Sequence, residues 1–267
     1  MDIKPPQDPT VGNKAMILVP ALRRNPILGA VRENGEPQNQ KLNVSMNRPT
    51  NIIIWNIRGG NNENFRRIFR EMVDAHRPCM LALLETIMGS HVELLNDFGF
   101  MEIIEVLADG QAGGIVILYN HEVVTIQNFI HRNQEIHATI EVLPIRKLWL
   151  FSTIYASTDI CNRNTMWENL KNISRNHIGP WMVGGDFNDI FSANDKFGGR
   201  PLNDSRAKFL WSKLNSCKLI DLGFKECKYI WSSHRHKNKG LIMERLDKSK
   251  EIKREKSSVV NAGQLPY

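Results

Sequence analysis

No apolar run in this chain is long enough to span a bilayer, which takes about 20 consecutive apolar residues. Nor does the N-terminal stretch hold a compact apolar segment followed by a cleavage site, so it does not read as a secretory signal. Cysteine is scarce. Cys79, Cys161, Cys217 and Cys227 are scattered, with no pair at metal-ligand or disulfide-framework spacing. That scatter argues against a zinc site or a disulfide scaffold and fits a reducing, intracellular compartment, the nucleus included. There is no internal repeat and no Walker motif. "AGGIVILY" (Ala112 to Tyr119) has the glycines of a phosphate loop but neither its spacing nor its lysine, and reads as a tight turn into a core strand. What remains is an ordinary globular composition, 42% apolar and 24% charged over 267 residues. That length holds one large or two small domains.

The formal charge of +7 suggests nucleic acid until it is located. Residues 1–48 carry 7 Lys and Arg against 4 Asp and Glu, residues 49–233 carry 19 against 20, and residues 234–267 carry 9 against 4. The body is neutral and the ends are basic. A tail such as "KSKEIKREK" (Lys248 to Lys256) can hold phosphate backbones without sequence preference, or can simply be a solvated, flexible end.

Residues 1–48 are rich in Pro, Asn, Gln and Arg with little periodicity, which predicts a mostly disordered or linker arm around one apolar island, "AMILVPAL" (Ala15 to Leu22), readable as a leftover strand of an upstream domain. Ordered structure is expected from Thr50, where "TNIIIWN" has the pattern of a buried strand. Phe65, Ile68, Phe69, Met72 and Val73 fall on one face of a helix. Strands are expected at 79–85, 100–107, 114–119, 123–128, 135–142 and 148–155. A helix is expected to start near Thr165, which has capping-box spacing to Glu168. A second starts near Asp204 and buries Ala207, Leu210, Trp211 and Leu214. Short strands follow near 229–232 and 241–246. Many strands, some in hairpins, with few helices suggest mixed sheets covered by helices. Trp55, Trp149, Trp167, Trp181 and Trp211 are assigned to the core.

Chemistry collects at strand ends. Asn56, Glu85 and the pair Asp186 and Asn188 each close a buried-type strand, and "LWLFSTIY" closes on Tyr155. In "WMVGGDFNDIF" (Trp181 to Phe191), alternation along a strand puts Asp186 and Asn188 on one face, and the glycines allow close approach. Strand ends of α/β sheets are where ligands usually bind. Carboxylates, amides and a phenol without thiolate or imidazole suit Mg²⁺ or Mn²⁺, commonly held by one or two carboxylates plus substrate phosphate. Each of these residues taken alone reads as structural, a turn or cap residue, rather than as a ligand.

The motifs "IIIWNIRGG", "LALLET", "FSTIYAS", "WMVGGDFND" and "IMERLDK", in this order and spacing, resemble the endonuclease/exonuclease/phosphatase superfamily. "DKFGGRP", "LIDLGFKECKYIWSS" and "ERLDK" look like the endonuclease domain of plant LINE-type non-LTR retrotransposons. The resemblance covers roughly residues 50–248. It implies a four-layer α/β sandwich of two packed mixed β-sheets flanked by helices, and metal-dependent cleavage of phosphodiester bonds in DNA. Carried over residue by residue, it implies Glu85 as metal ligand with Asn56 beside it, and Asp186 as the group that orients and deprotonates water. Asn188 would bond the scissile phosphate, Tyr155 would contact the phosphate or leaving group, and Asp247 would align a catalytic histidine. Arg200, in "GGRP", and Trp231 are candidate substrate contacts; the plain alternative for Arg200 is a surface loop.

Family members finish with a Ser-Asp-His segment, and this chain holds none: after Asp247 there is no His or Asp. His234 and His236 lie in a polar stretch that resembles the hairpin before that end. The expectation is therefore a domain over residues 49–248 that is incomplete at its C-terminus, lacks its last strands and exposes a sheet edge, followed by a basic unstructured tail at 249–267. The functional expectation is a retroelement-derived, Mg²⁺-dependent (or Mn²⁺-dependent) DNA endonuclease with impaired activity, a monomer acting on DNA with no membrane and no small-molecule cofactor. The alternatives are a catalytically silent nucleic-acid-binding remnant and a phosphatase acting on a small phosphoester.

Overall fold

The computed structural model describes residues 16–20, 51–61, 63–110, 112–143, 146–221, 231–233, 242–244 and 247–252. Of 16–20 and of the strands beyond 221 it describes the backbone alone. The first half of the chain forms β1 (Met16–Pro20), β2 (Asn51–Asn56), α1 (Glu63–His76), β3 (Met80–Leu84), α2 (Val92–Phe98), β4 (Glu102–Asp109) and β5 (Ala112–Tyr119). Next come β6 (Val124–Arg132), β7 (Glu135–Val142), β8 (Lys147–Tyr155), α3 (Ile160–Asn176), β9 (Trp181–Asp186) and β10 (Lys196–Phe197). The chain continues through α4 (Asp204–Ser216), β11 (Leu219–Asp221), β12 (Trp231–Ser233), β13 (Ile242–Glu244) and β14 (Asp247–Ile252).

Two large sheets result, ordered β1-β2-β3-β5-β4 and β11-β14-β9-β8-β7-β6, with a small one ordered β10-β13-β12. Both large sheets are mixed: β2–β3 and β8–β9 are parallel pairs among antiparallel neighbours. Because successive side chains alternate between faces, each central strand feeds two cores. Ile52, Ile54, Ala82 and Leu84 meet Ala138, Ile140, Phe151 and Met182 between the sheets. Ile53, Trp55, Leu81 and Leu83 face Phe65 and Phe69 of α1 and Leu94 of α2. Leu150, Ile154 and Val183 face Met166, Trp167 and Leu170 of α3 and Leu210 and Leu214 of α4. The layers are helix, sheet, sheet, helix, as expected from the sequence.

Several expectations need correction. The island in the N-terminal arm pairs antiparallel with β2, from Met16↔Trp55 to Pro20↔Asn51, and so covers the edge of β2 away from β3. A strand with β-branched and apolar residues beside an open edge gains main-chain bonds that an isolated arm lacks. Likewise 249–252, expected as tail, continue β14 between β9 and β11. The remainder of both segments lies outside the described residues. Helix α3 starts five residues before Thr165, because Asp159 is its N-cap and accepts the Asn162 N–H at 2.9 Å. α2 and β11 were not foreseen. Trp211 is 42% exposed, donating its indole N–H to the Phe191 carbonyl at 2.9 Å rather than packing inside. Trp149 is half-buried against the inter-sheet core, while Trp55, Trp167 and Trp181 are buried.

Two close approaches depend on glycine. At Gly185 (φ +140°) a Cβ would lie 2.0 Å from the Ile154 carbonyl oxygen, and at Gly114 (φ +88°) one would lie 2.2 Å from Thr86 Oγ1. Thr86 Oγ1 is in turn 2.7 Å from Nε2 of the buried His91, whose Nδ1 is 2.6 Å from Glu105 Oε2. Burial holds the His91 pKa below its usual value, the bond and charge of Glu105 opposing. The ring is therefore neutral near pH 7, with Nδ1–H donating to Glu105 and Nε2 accepting from the Thr86 hydroxyl.

Two outcomes follow for stability. Gly185→Ala should destabilise the chain by about 2–4 kcal/mol, through backbone strain and overpacking, read from the urea midpoint. A buried His whose folded pKa is lowered leaves stability intact above its unfolded value of about 6.5 and erodes it as pH falls below that value toward the folded one. Stability should thus decline from about pH 7 to pH 5, and His91→Gln should flatten that slope in the same measurement.

Candidate active site

The parallel pairs β2–β3 and β8–β9 end at the same rim of the sandwich. Strand parity decides which side chains meet there. Asn56 follows Ile52 and Ile54 on the inter-sheet face; Tyr155 follows Phe151 and Asp186 follows Met182 on the facing sheet. The result is a bond across the seam: Asn56 Nδ2 donates to Asp186 Oδ2 at 2.9 Å, with both residues 3% exposed. Glu85 has the wrong parity, one residue beyond Leu84. Its backbone turns into the left-handed region (φ +52°), and its charge stands near enough to the Tyr155 hydroxyl to raise that group's pKa.

The sequence reading placed Asp186 and Asn188 on one strand face. In the structure β9 ends at Asp186, and Asn188 sits in a turn at φ +47°. The Asn188 N–H donates to Asp186 Oδ1 at 2.7 Å, and Asn188 Nδ2 donates to the Ala156 carbonyl. Asn is one of the few residues that accept this conformation readily. A side chain–backbone turn, not strand alternation, thus sets the pair.

Burial raises the Asp186 pKa, with Glu85 adding and the Asn188 N–H, the Asn56 amide and Arg58 opposing. Burial also pushes the Tyr155 hydroxyl well above its usual range, followed by the charges of Glu85 and Asp186, while Arg58 pulls it down. Arg58 was not singled out from the sequence, although it stands inside the quoted "IIIWNIRGG". It is exposed beside these anions, held at φ +50° with its N–H on Asn56 Oδ1 at 3.2 Å.

The donor set fits a hard divalent cation: two carboxylates and an amide oxygen, with no soft ligand. Among the described residues no group of three or more His, Cys, Asp or Glu side chains converges as a metal cluster. Glu85 and Asn56 remain the candidates to hold such an ion.

Of the other expected site residues, Asp247 opens β14 directly opposite Asp186 in the ladder, so its backbone reaches the rim. Arg200 is exposed just past β10, after Gly198 and Gly199, and is not among the residues linked here to the rim. Trp231 opens β12, its backbone opposite Glu244; its side chain, together with His234 and His236, lies outside the described residues. Also missed by the sequence reading is an ionic group just behind Asn188, formed by the buried Arg163 and Asp189 with the exposed Arg206. Asp189 was visible in "GDFND", and Arg163 shares the helical stripe of Met166, Trp167 and Leu170, a signal hidden by expecting α3 to start only near Thr165.

No family model matches the chain, and no curated protein matches its sequence. Solved structures do match its fold. An AP endonuclease, LMAP, from Leishmania major is 13% identical over 75% of this chain and 78% of that one, with a TM-score of 0.57. The 3' phosphatase NExo from Neisseria, bound to a product DNA hairpin, is 15% identical over 75% and 86%, with a TM-score of 0.56. The endonuclease domain of TRAS1, a telomere-specific non-LTR retrotransposon, is 13% identical over 76% and 85%, with a TM-score of 0.53. The chain thus shares the α/β sandwich fold of these structures.

Proposed function

We propose that this chain is a DNA endonuclease of retroelement type, hydrolysing phosphodiester bonds with Mg²⁺ or Mn²⁺ held by Glu85 and Asn56. The observation that carries the reading is the buried Asn56–Asp186 bond, which joins the polar strand ends of both sheets into one rim beside Glu85 and Tyr155. The TRAS1 likeness supports the retroelement assignment, and the LINE-like segments "DKFGGRP" and "ERLDK" point the same way.

A phosphodiester is already anionic and repels a nucleophile, so charge must be neutralised as it builds on the phosphate oxygens. A bound divalent ion supplies that neutralisation. Arg58, exposed at the rim, adds a second positive charge for the phosphate. Asp186 accepts the proton of the attacking water, a role favoured by burial that strengthens its basicity. Asn188 keeps one amide hydrogen for a phosphate oxygen after bonding Ala156, and Tyr155 donates its hydroxyl at the phosphate or the departing oxygen. Water then forms the new P–O bond as the bond to the leaving oxygen breaks. Asp247, opposite Asp186 in the ladder, is in register to orient a further group. The basic ends and Arg200 and Trp231 serve the DNA backbone and groove.

The test is relaxation of supercoiled plasmid with Mg²⁺ by the full chain. Wild type should nick, and Glu85→Ala and Asp186→Ala should each lower the rate by about 10²-fold or more. Nicking that survives both substitutions rejects the assignment. Hydrolysis of a small phosphomonoester without nicking would transfer the site to a phosphatase, and DNA binding without either reaction to a silent remnant.

A further inference from the structure

We infer that Arg163 and Asp189 form a positioning pair that holds the two rim loops, 155–158 and 186–189, at the spacing the proposed hydrolysis requires. The inference rests on the endonuclease reading above. Each loop leaves the end of a strand, where ladder bonds stop. The two remain joined near the rim by Ala156 N–H to the Asp186 carbonyl at 2.8 Å and by Asn188 Nδ2 to the Ala156 carbonyl. One turn further out the joint passes to a side chain. Arg163 Nη1 donates to the carbonyls of Ser157 and Thr158 at 2.7 and 3.0 Å, and its Nε lies 3.5 Å from Asp189 Oδ2. The other Asp189 oxygen takes Arg206 Nη2 at 2.7 Å and Nε at 3.0 Å. A single guanidinium therefore grips the loop of Tyr155 with one edge and the loop of Asn188 with another.

Its location argues for more than a brace. Arg163 is 6% and Asp189 4% exposed, and a buried ion pair commonly adds no net stability over apolar residues of the same volume. Both loops it touches carry side chains assigned to the reaction, and the contacts described for its guanidinium are with those loops. Asp189 is also the residue after Asn188, whose left-handed backbone must stay in place for its amide to face a phosphate. Helix α3 delivers Arg163 there because Asp159 caps the helix four residues earlier, so the first turn sits against the Ser157 and Thr158 carbonyls.

The experiment uses the full chain with Arg163→Met, Arg163→Lys and Asp189→Asn. Lys213→Ala is the control, since it removes an ion pair to Glu168 (2.9 Å) between the same two helices, outside the rim loops. The first readout is hydrogen exchange of the Asn188 side-chain amide by NMR, which needs no activity. Arg163→Met and Asp189→Asn should accelerate it about 10-fold or more as the bond to Ala156 loosens, Arg163→Lys should restore part of the protection, and Lys213→Ala should leave it unchanged. The second readout is single-turnover nicking, with DNA affinity measured separately in Ca²⁺. Arg163→Met should slow the chemical step by about 10–100-fold while DNA affinity changes by less than about 3-fold. The double variant should lose no more than either single one. Unchanged Asn188 exchange in both Arg163→Met and Asp189→Asn overturns the positioning role, as does equal loss in Lys213→Ala. A wild type that never nicks sinks the endonuclease reading, and the exchange measurement then still decides whether the pair holds the loops. If Arg163→Met does not fold, Arg163→Lys and Asp189→Asn carry the same comparison.

Discussion

The bond from the Asn56 amide to the Asp186 carboxylate crosses the seam between the sheets where there is almost no solvent. A carboxylate in such a place costs several kcal/mol unless its oxygens are met by donors. Here one oxygen takes the Asn56 amide and the other takes the Asn188 N–H. Those two donors come from opposite sheets, so the site forms only when the sandwich has closed with β2 facing β9. Every chemical feature of the rim inherits that condition: where Glu85 meets Tyr155, where Asn188 turns, and where β14 brings Asp247 opposite Asp186.

Regular structure delivers side chains to the rim, and irregular backbone aims them. Among the described residues seven non-glycine positions have positive φ, and three of these, Arg58, Glu85 and Asn188, belong to the rim. Left-handed backbone in such residues costs of order 1–3 kcal/mol and persists where surrounding bonds over-determine it. Those bonds are present: Gly59 N–H to the Glu85 carbonyl at 2.7 Å, Thr86 N–H to the Gly114 carbonyl at 3.3 Å, and the turn at Asn188. The departures gather where strands stop and their last side chains must converge on one point.

A sandwich of this kind accommodates an AP endonuclease, a retrotransposon endonuclease domain and a DNA 3' phosphatase. One frame thus carries different reactions, so a function is argued from the site and not from the frame. In this chain the excess positive charge lies in the ends and not in the neutral body.

Much was legible in the sequence because it depends on local periodicity. The unbroken apolar run in "TNIIIWN" and the spacing of Phe65, Phe69 and Met72 gave β2 and α1, and the polar strand endings pointed to Asn56, Glu85, Tyr155 and Asp186. The sequence also determined which chemistry was on offer: hard oxygen donors, amides and a phenol, without a thiol or imidazole set. Tertiary structure decided the rest, since each undecided point was a matter of long-range pairing. The apolar island at Met16–Pro20 became a strand only through the open edge of β2, and Lys248–Ile252 only through β9 and β11. Trp211 lay outward because α4 presents Leu210 and Leu214 instead. Arg163 lies on the inward stripe of α3 with Met166, Trp167 and Leu170, but what it meets there, two carbonyls and a carboxylate in the loops after β8 and β9, came only with the packing of those loops. Periodicity records how a segment wants to fold by itself; which unsatisfied groups it will face is known only once the two sheets are packed.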